Sequence, residues 1–345
     1  MREGRFIKKN VDRWNSYQEE SPADPDEMAD RFISLLDDLS YAKTFYPRSK
    51  VTHWINGMAA GIYQRIYRNR RPDLSRVFSF WKYELPLLIR RYHKVLLFTF
   101  CLFAVFVSVG IVSSINDTDY ARDYFDNKVQ RGYYDQTVSN IQNGDPFGIY
   151  HDDNPFSMFV RIAYNNISVA FKAVVFGVLF GVGTIIIMWS NGLMLGCFQY
   201  IFFSQGLGWQ SVLVIWIHGT IEISSIVIAS CAGLILGFGW LFPGTWSAKE
   251  AWLRSAKDAM KICIALIPLF VIAAFFESYV THLMSNTFKI NSTDIGLPVP
   301  VSIAILAFSA AFMTWYFIIY PNKLYRRGYR YVHGKLQKGE DKVYV

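Results

Sequence analysis

Hydrophobic and polar positions along this chain sort into long blocks rather than short alternations. Val95 to Ile115 contains no acidic or basic residue. It is long enough for a tilted helix to cross a bilayer, which takes about 20 apolar residues. From Ala173 to Ala248 the lone Asp, Glu, Lys or Arg is Glu222, a run that no soluble core uses. The pattern therefore predicts an all-α polytopic membrane helix bundle with about six spans, at residues 95–115, 168–188, 193–204, 211–236, 260–279 and 300–320. The turn Ser190-Asn191-Gly192 is expected to break the second span from a short third one, which either thins the bilayer locally or is shielded by its neighbours. A loop with Pro243-Gly244 and a separate amphipathic piece, residues 248–257, are expected before the fifth span.

The polar blocks divide the rest. Residues 1–93 read as a cytoplasmic helical head. Phe32, Leu35, Leu36 and Leu39 form one apolar stripe at helical spacing. A second helix is expected from Val51 to Tyr67, after the break at Tyr46-Pro47-Arg48, giving an antiparallel hairpin. Residues 65–94 carry nine Lys/Arg against Asp73 and Glu84, with Phe78, Phe80, Trp81 and Tyr83 interleaved. That mixture predicts a helix in the headgroup layer, basic toward anionic membrane lipids. The loop 116–160 holds eight Asp and three Lys/Arg, which suits the non-cytoplasmic side. Residues 155–164 are expected to form a short interfacial helix. The bundle is bounded as 94–320, and 321–345 is a basic tail.

Charge changes this picture in one respect. The formal balance is +8, and only 18% of residues are charged. The basic excess flanks the first and last apolar runs, which predicts that both termini are cytoplasmic and that the number of crossings is even. The same placement argues for membrane topology over nucleic-acid binding, and no nucleic-acid partner is expected. No signal peptide is visible. Cys101, Cys197, Cys231 and Cys263 lie in apolar stretches without CxxC spacing and read as small buried hydrophobes.

Polar groups inside spans are costly and therefore informative. His218 and Glu222, four apart, share a helix face and can form a charge-assisted hydrogen bond. They read as a register-fixing structural pair, a clamp for a partner helix, or a proton- or ion-responsive site. His-x-x-x-Glu supplies only two ligands, no HExxH motif occurs, and no other His or Cys stands near in sequence, so no metal and no cofactor are expected. Asn165 and Asn166 before the second span, and Asn191 after it, read as helix caps. Glu277, with His282 one turn on, is expected to reach water at the outer end of the fifth span. Gly177-x-x-x-Gly181, Gly192-x-x-x-Gly196 and Gly233-x-x-x-Gly237 predict close helix contacts, in a compact bundle or a homodimer seam. There is no P-loop, no Gly-rich dinucleotide motif and no GxSxG elbow, and no enzymatic activity is expected.

Several of these pieces resemble the stage II sporulation protein M family of bacterial and archaeal membrane proteins. They are Asn165-Asn166 before a Gly-rich span, then Asn191-Gly192-x-x-x-Gly196, and above all His218-Gly219-Thr220-Ile221-Glu222 followed by Ile226-Val227-Ile228-Ala229 and Ala232-Gly233-Leu234. Ile217 stands where the family usually has a proline. The head shares Leu35-Leu36-Asp37-Asp38-Leu39-Ser40-Tyr41-Ala42 and Tyr46-Pro47. The resemblance implies a non-enzymatic protein of the bacterial inner membrane. The family's namesake holds two peptidoglycan-remodelling partners at the engulfing membrane, so a scaffold for envelope partners is expected, with a transporter or channel built on His218 and Glu222 as the alternative.

Overall fold

The structure, a computed structural model, describes residues 2–19, 24–68, 74–117, 119–148, 154–290, 296–332 and 335–339. The chain separates into two units, Met1–Phe78 and Ser79–Val345.

The first unit is built from α1 (Glu3–Glu19), α2 (Pro25–Phe45) and α3 (Lys50–Arg68). Asp24 caps α2 by accepting from the Asp26 amide, and a proline occupies the first helical position, where its missing N–H costs nothing. The expected α2–α3 hairpin is present. The long N-terminal helix was not expected, because its apolar face is a thin one in a polar sequence. Its buried face is Phe6, Asn10 and Trp14, packed on Leu35, Leu39, Ala42, Ile55 and Ala59. Trp14 has no exposed surface. Its Nε1 donates to Asp38 Oδ2 at 2.8 Å, and Arg13 pairs with the same carboxylate.

Among the described residues, the second unit holds six helices long and apolar enough to cross a membrane: α6 (His93–Asn116), α9 (Pro155–Val178), α10 (Val182–Ser204), α11 (Gly208–Leu241), α12 (Ala248–Phe288) and α13 (Val299–Arg326). The short helix α4 (Leu74–Ser79) belongs to the first unit except for Ser79, and α5 (Leu85–Arg91) precedes the six. α7 (Tyr120–Lys128) and α8 (Tyr133–Gln142) lie between α6 and α9. The protein is thus an all-α polytopic bundle, with one small addition in the tail. There β1 (Tyr329–Val332) and β2 (Lys335–Lys338) pair as an antiparallel hairpin.

The segmentation differs from the sequence expectation in the middle of the chain. Ser190-Asn191-Gly192 is not a break. It lies inside α10, where Asn191 Nδ2 donates to Ile187 O four residues back. The reversal falls at Leu179-Phe180-Gly181, where Phe180 and Gly181 both take positive φ. The third span is therefore full length, and no thinned bilayer is needed. Likewise residues 155–164 and 248–257 are not separate pieces but the first turns of α9 and α12, the latter capped by Ser247 accepting from the Glu250 amide.

α11 is the axis. It is the most buried of the six, while α6 and α13 are covered least. They expose Leu97, Phe98, Phe100, Ile303 and Phe308, apolar side chains suited to lipid. The glycine motifs serve contacts within this one chain. A Cβ on Gly177 would run into the Gly233 carbonyl, and one on Gly237 into the Gly181 amide. Gly192 and Gly196 meet Phe106 and Val107 of α6, where Gly110 supplies the facing gap. Thr184 Oγ1 ties α10 to α9 through Ala173 O at 2.7 Å, and Ser302 Oγ ties α13 to α11 through Leu213 O at 2.7 Å. In lipid such backbone proximity and interhelical hydrogen bonds replace hydrophobic burial as the glue.

Residues 79–93, expected with the head, belong with the bundle. Leu85 to Ile89 are buried. Lys261 Nζ pairs with Glu84 at 2.5 Å, and Tyr92 OH donates to Asp258 at 2.8 Å. Residues 79–93 of the basic segment are therefore docked on the bundle; residues 69–73 lie outside the described residues. The segment also meets the chain's far end. Tyr316 OH donates to Trp81 O at 2.7 Å, Tyr320 OH to Lys82 O at 2.9 Å, and the Tyr83 and Tyr329 rings lie tilted with centroids 5.4 Å apart. Six alternating spans thus bring both ends of this unit to one end of the bundle.

Candidate functional site

At the opposite end, α7 and α8 form a folded layer rather than an open loop. Phe125 is buried with Ala121 against Cys197 and Ile201 of α10, and Phe147 stacks on Phe202 at 5.2 Å. Of the six described aspartates of the loop, Asp117, Asp119, Asp123 and Asp135 are exposed, and Arg122 bridges Asp119 and Asp135. Residues 149–153 of this loop lie outside the described residues.

Beneath that layer sits the polar cluster. His218 is ten residues into α11, Asn166 eleven into α9, and Glu277 eleven from the end of α12. At a rise of about 1.5 Å per residue each is about 15 Å from the same end of the bundle, near half the thickness of a hydrocarbon core. His218 and Glu222 lie on one face of α11, as their spacing dictates. Glu277 joins them from α12, and the donor atoms of all three lie within 4.8 Å of one another. His218 Nε2 is 3.9 Å from Glu277 Oε2.

Glu277 stands in a π-helical turn at Phe276–Thr281. Glu277 and Thr281, four apart, both face α11 from this turn, and Thr281 Oγ1 is 2.9 Å from His218 Nδ1. π-turns inside α-helices cluster at functional sites. Glu277 thus does not stand alone at the outer water, as its position in the sequence suggested.

The remaining singled-out residues divide. Asn165 and Asn166 are not caps but lie in the middle of α9. Asn165 Nδ2 donates to Asn166 Oδ1 at 3.3 Å. Asn165 is exposed, whereas Asn166 is buried and its amide is directed at the Glu222 carboxylate. Asn191 and Gly192 serve α10 and its contact with α6 instead. Gly219 has open space beside it, with only Ile215 Cγ2 at 4.0 Å. Three partners escaped the sequence reading: Thr281, Arg161, whose positive charge acts on Glu277, and Tyr133 of α8. Thr281 stands four residues beyond Glu277, a spacing that could have flagged it.

Tyr133 links the layer to the cluster. Burial first, and then the nearby Glu277 carboxylate, push its phenol up to about 12 from 10.0. A phenol whose folded value is raised favours the packed layer below pH 10. That contribution is lost as pH rises from 10 toward 12. The ultraviolet phenolate titration of Tyr133→Phe, subtracted from that of the parent, is expected to show a missing transition near pH 12. A missing transition near pH 10 would mean that the layer is not packed over Glu277.

Residues 97–282 match the family model described as "Stage II sporulation protein M". Residues 4–68 match one described as "Domain of unknown function (DUF8413)". An uncharacterized protein of Methanocaldococcus jannaschii is 27% identical over 179 residues, covering 51% of this chain and 84% of that protein. No solved structure matches the chain.

Proposed function

The chain belongs to the stage II sporulation protein M family, and from that premise we propose that it is a non-enzymatic scaffold for envelope or peptidoglycan-remodelling partners. It is a multi-pass membrane protein. In this reading it sits in the bacterial inner membrane with both termini cytoplasmic.

The observation that carries the reading is the folded layer of α7 and α8. A loop that merely joined two spans would need no buried Phe125 and no Phe147–Phe202 stack. A rigid acidic platform presents fixed charges to a partner without the entropic cost of ordering a loop on binding. At the other end, a cleft of about 520 Å³ is lined by Arg90, Arg91, His93, Lys261 and Arg330 together with Glu84 and Asp258. That surplus of cations supports anionic lipid headgroups as the neighbours of residues 79–94.

The transport reading draws its support from the ionisable cluster between α11 and α12. Two measurements separate the readings. A photo-crosslinking residue at Asp123, exposed on α7, is expected to trap envelope proteins in native membranes. Purified protein in liposomes is expected to pass protons and cations no faster than empty liposomes across pH 5 to 8. His218→Ala is then expected to weaken stability or assembly without changing any flux. Flux that depends on His218, with no protein adducts at Asp123, would replace the scaffold with a transporter.

A further inference from the structure

We propose that His218, Glu222 and Glu277 bind one divalent transition-metal ion of the zinc class, held between α11 and α12 near mid-depth in the bundle. The proposal goes beyond the scaffold reading and does not depend on it.

The donor set is one imidazole and two carboxylates, gathered within 4.8 Å from two helices. Zinc takes such nitrogen and oxygen donors at about 2.0–2.2 Å, which puts tetrahedral donors about 3.4 Å apart. The His218–Glu277 separation of 3.9 Å needs only a small side-chain closure to reach that. Three protein donors leave a fourth position for water.

Two further observations point to a cation. The first is the arrangement around the imidazole. A ligating histidine has its second ring nitrogen fixed by an outer partner, which sets the tautomer and aims the ring. Thr281 Oγ1 occupies that place on His218 Nδ1 at 2.9 Å and leaves Nε2 turned toward Glu277. The second is Asn166, which is 5% exposed. Its Nδ2 is directed at Glu222 yet reaches no acceptor at hydrogen-bond distance. A donor left open beside a carboxylate suits a site whose acceptors include a metal-bound water or a carboxylate drawn up by its metal.

Electrostatics supply the reason. Two carboxylates at this depth are expensive in a medium of low dielectric. Arg161 offers Glu277 a single charge from an exposed position. A dication balances both carboxylates, and it joins α11 to α12 where the widened π-turn holds Glu277 and Thr281 against the long central helix.

The test uses the full chain, purified in detergent with a tag free of histidine, stripped with chelator, reloaded with Zn²⁺ and desalted. Elemental analysis is expected to find one zinc per chain. Glu277→Gln and Glu222→Gln are each expected to cut retention at least about tenfold, and Thr281→Val to weaken it about tenfold through the imidazole's orientation. Gly219→Ala, on the same helix with free space beside it, is expected to retain wild-type zinc. Co²⁺ in place of zinc is expected to give visible absorption of a tetrahedral nitrogen and oxygen site. If the glutamine variants aggregate, the Thr281→Val affinity and the cobalt spectrum of the parent chain decide. Zinc retention that is absent, or unchanged by these substitutions, overturns the proposal. So does a cobalt spectrum dominated by thiolate charge transfer. Neither result touches the partner-trapping experiment at Asp123.

Discussion

Replacing Gly233 by leucine is expected to destabilise the transmembrane bundle by at least about 3 kcal/mol, the upper range for overpacking a filled core. The reason lies in what surrounds the position. A single added methyl there would strike Ala173 O on one helix and Thr184 Oγ1 on another, and Gly177 faces it directly. Those atoms also form the hydrogen bond that ties α10 to α9. The substitution therefore pushes on backbone rather than on a side chain able to rotate away. The expected readout is loss of a monodisperse detergent peak and unfolding at lower SDS fraction. Gly219→Ala supplies the contrast. It sits on the same helix, with space for the methyl, and is expected to stay within about 0.5 kcal/mol of the parent. A Gly233→Leu protein as stable as the parent would refute the seam.

The second large effect concerns the first unit. Trp14→Ala is expected to cost about 3–5 kcal/mol, the usual loss for a large buried aromatic. Trp14 packs edge-on to Phe6 at 5.4 Å and to Trp54 at 5.7 Å, and its Nε1 satisfies the Asp38 carboxylate that Arg13 also holds. A helical unit of fewer than about 80 residues has about 3–5 kcal/mol in total. The loss is therefore comparable to everything that keeps residues 1–78 folded. Limited proteolysis is expected to remove that unit from the variant while a fragment containing the six spans survives. Trp14→Phe, which keeps the ring contacts and loses only the donor, is expected to recover most of the resistance. Equal protection of Trp14→Ala and the parent would mean that α1 is not part of the core.

Much of this architecture was readable from residue order. Six apolar blocks appear as six spans because lipid tolerates nothing but satisfied backbone and apolar surface. His218 and Glu222 fall on one face because helical periodicity puts them there. The reversal between α9 and α10 was misplaced for a physical reason. Asn191-Gly192 has the composition of a turn, but Gly192 is small so that α6 can approach. The true turn passes through Phe180, a residue that seldom accepts positive φ. Glycine for close packing and glycine for conformation look alike in a string of letters. Glu277 was misjudged because His218 and Glu222, the groups it meets, come from another helix. The layer of α7 and α8 was read as loop because its helices are short and charged. What folds them is Phe125 against Cys197 and Ile201, a contact made only in three dimensions.

The joint between Trp81–Tyr83 and Tyr316–Tyr329 gives the spanning unit a ring-like connectivity. The residues just after Ser79 are held to the last span by the Tyr316–Trp81 and Tyr320–Lys82 hydrogen bonds. A cut in any loop between the spans would therefore leave the two ends of the unit hydrogen-bonded to one another.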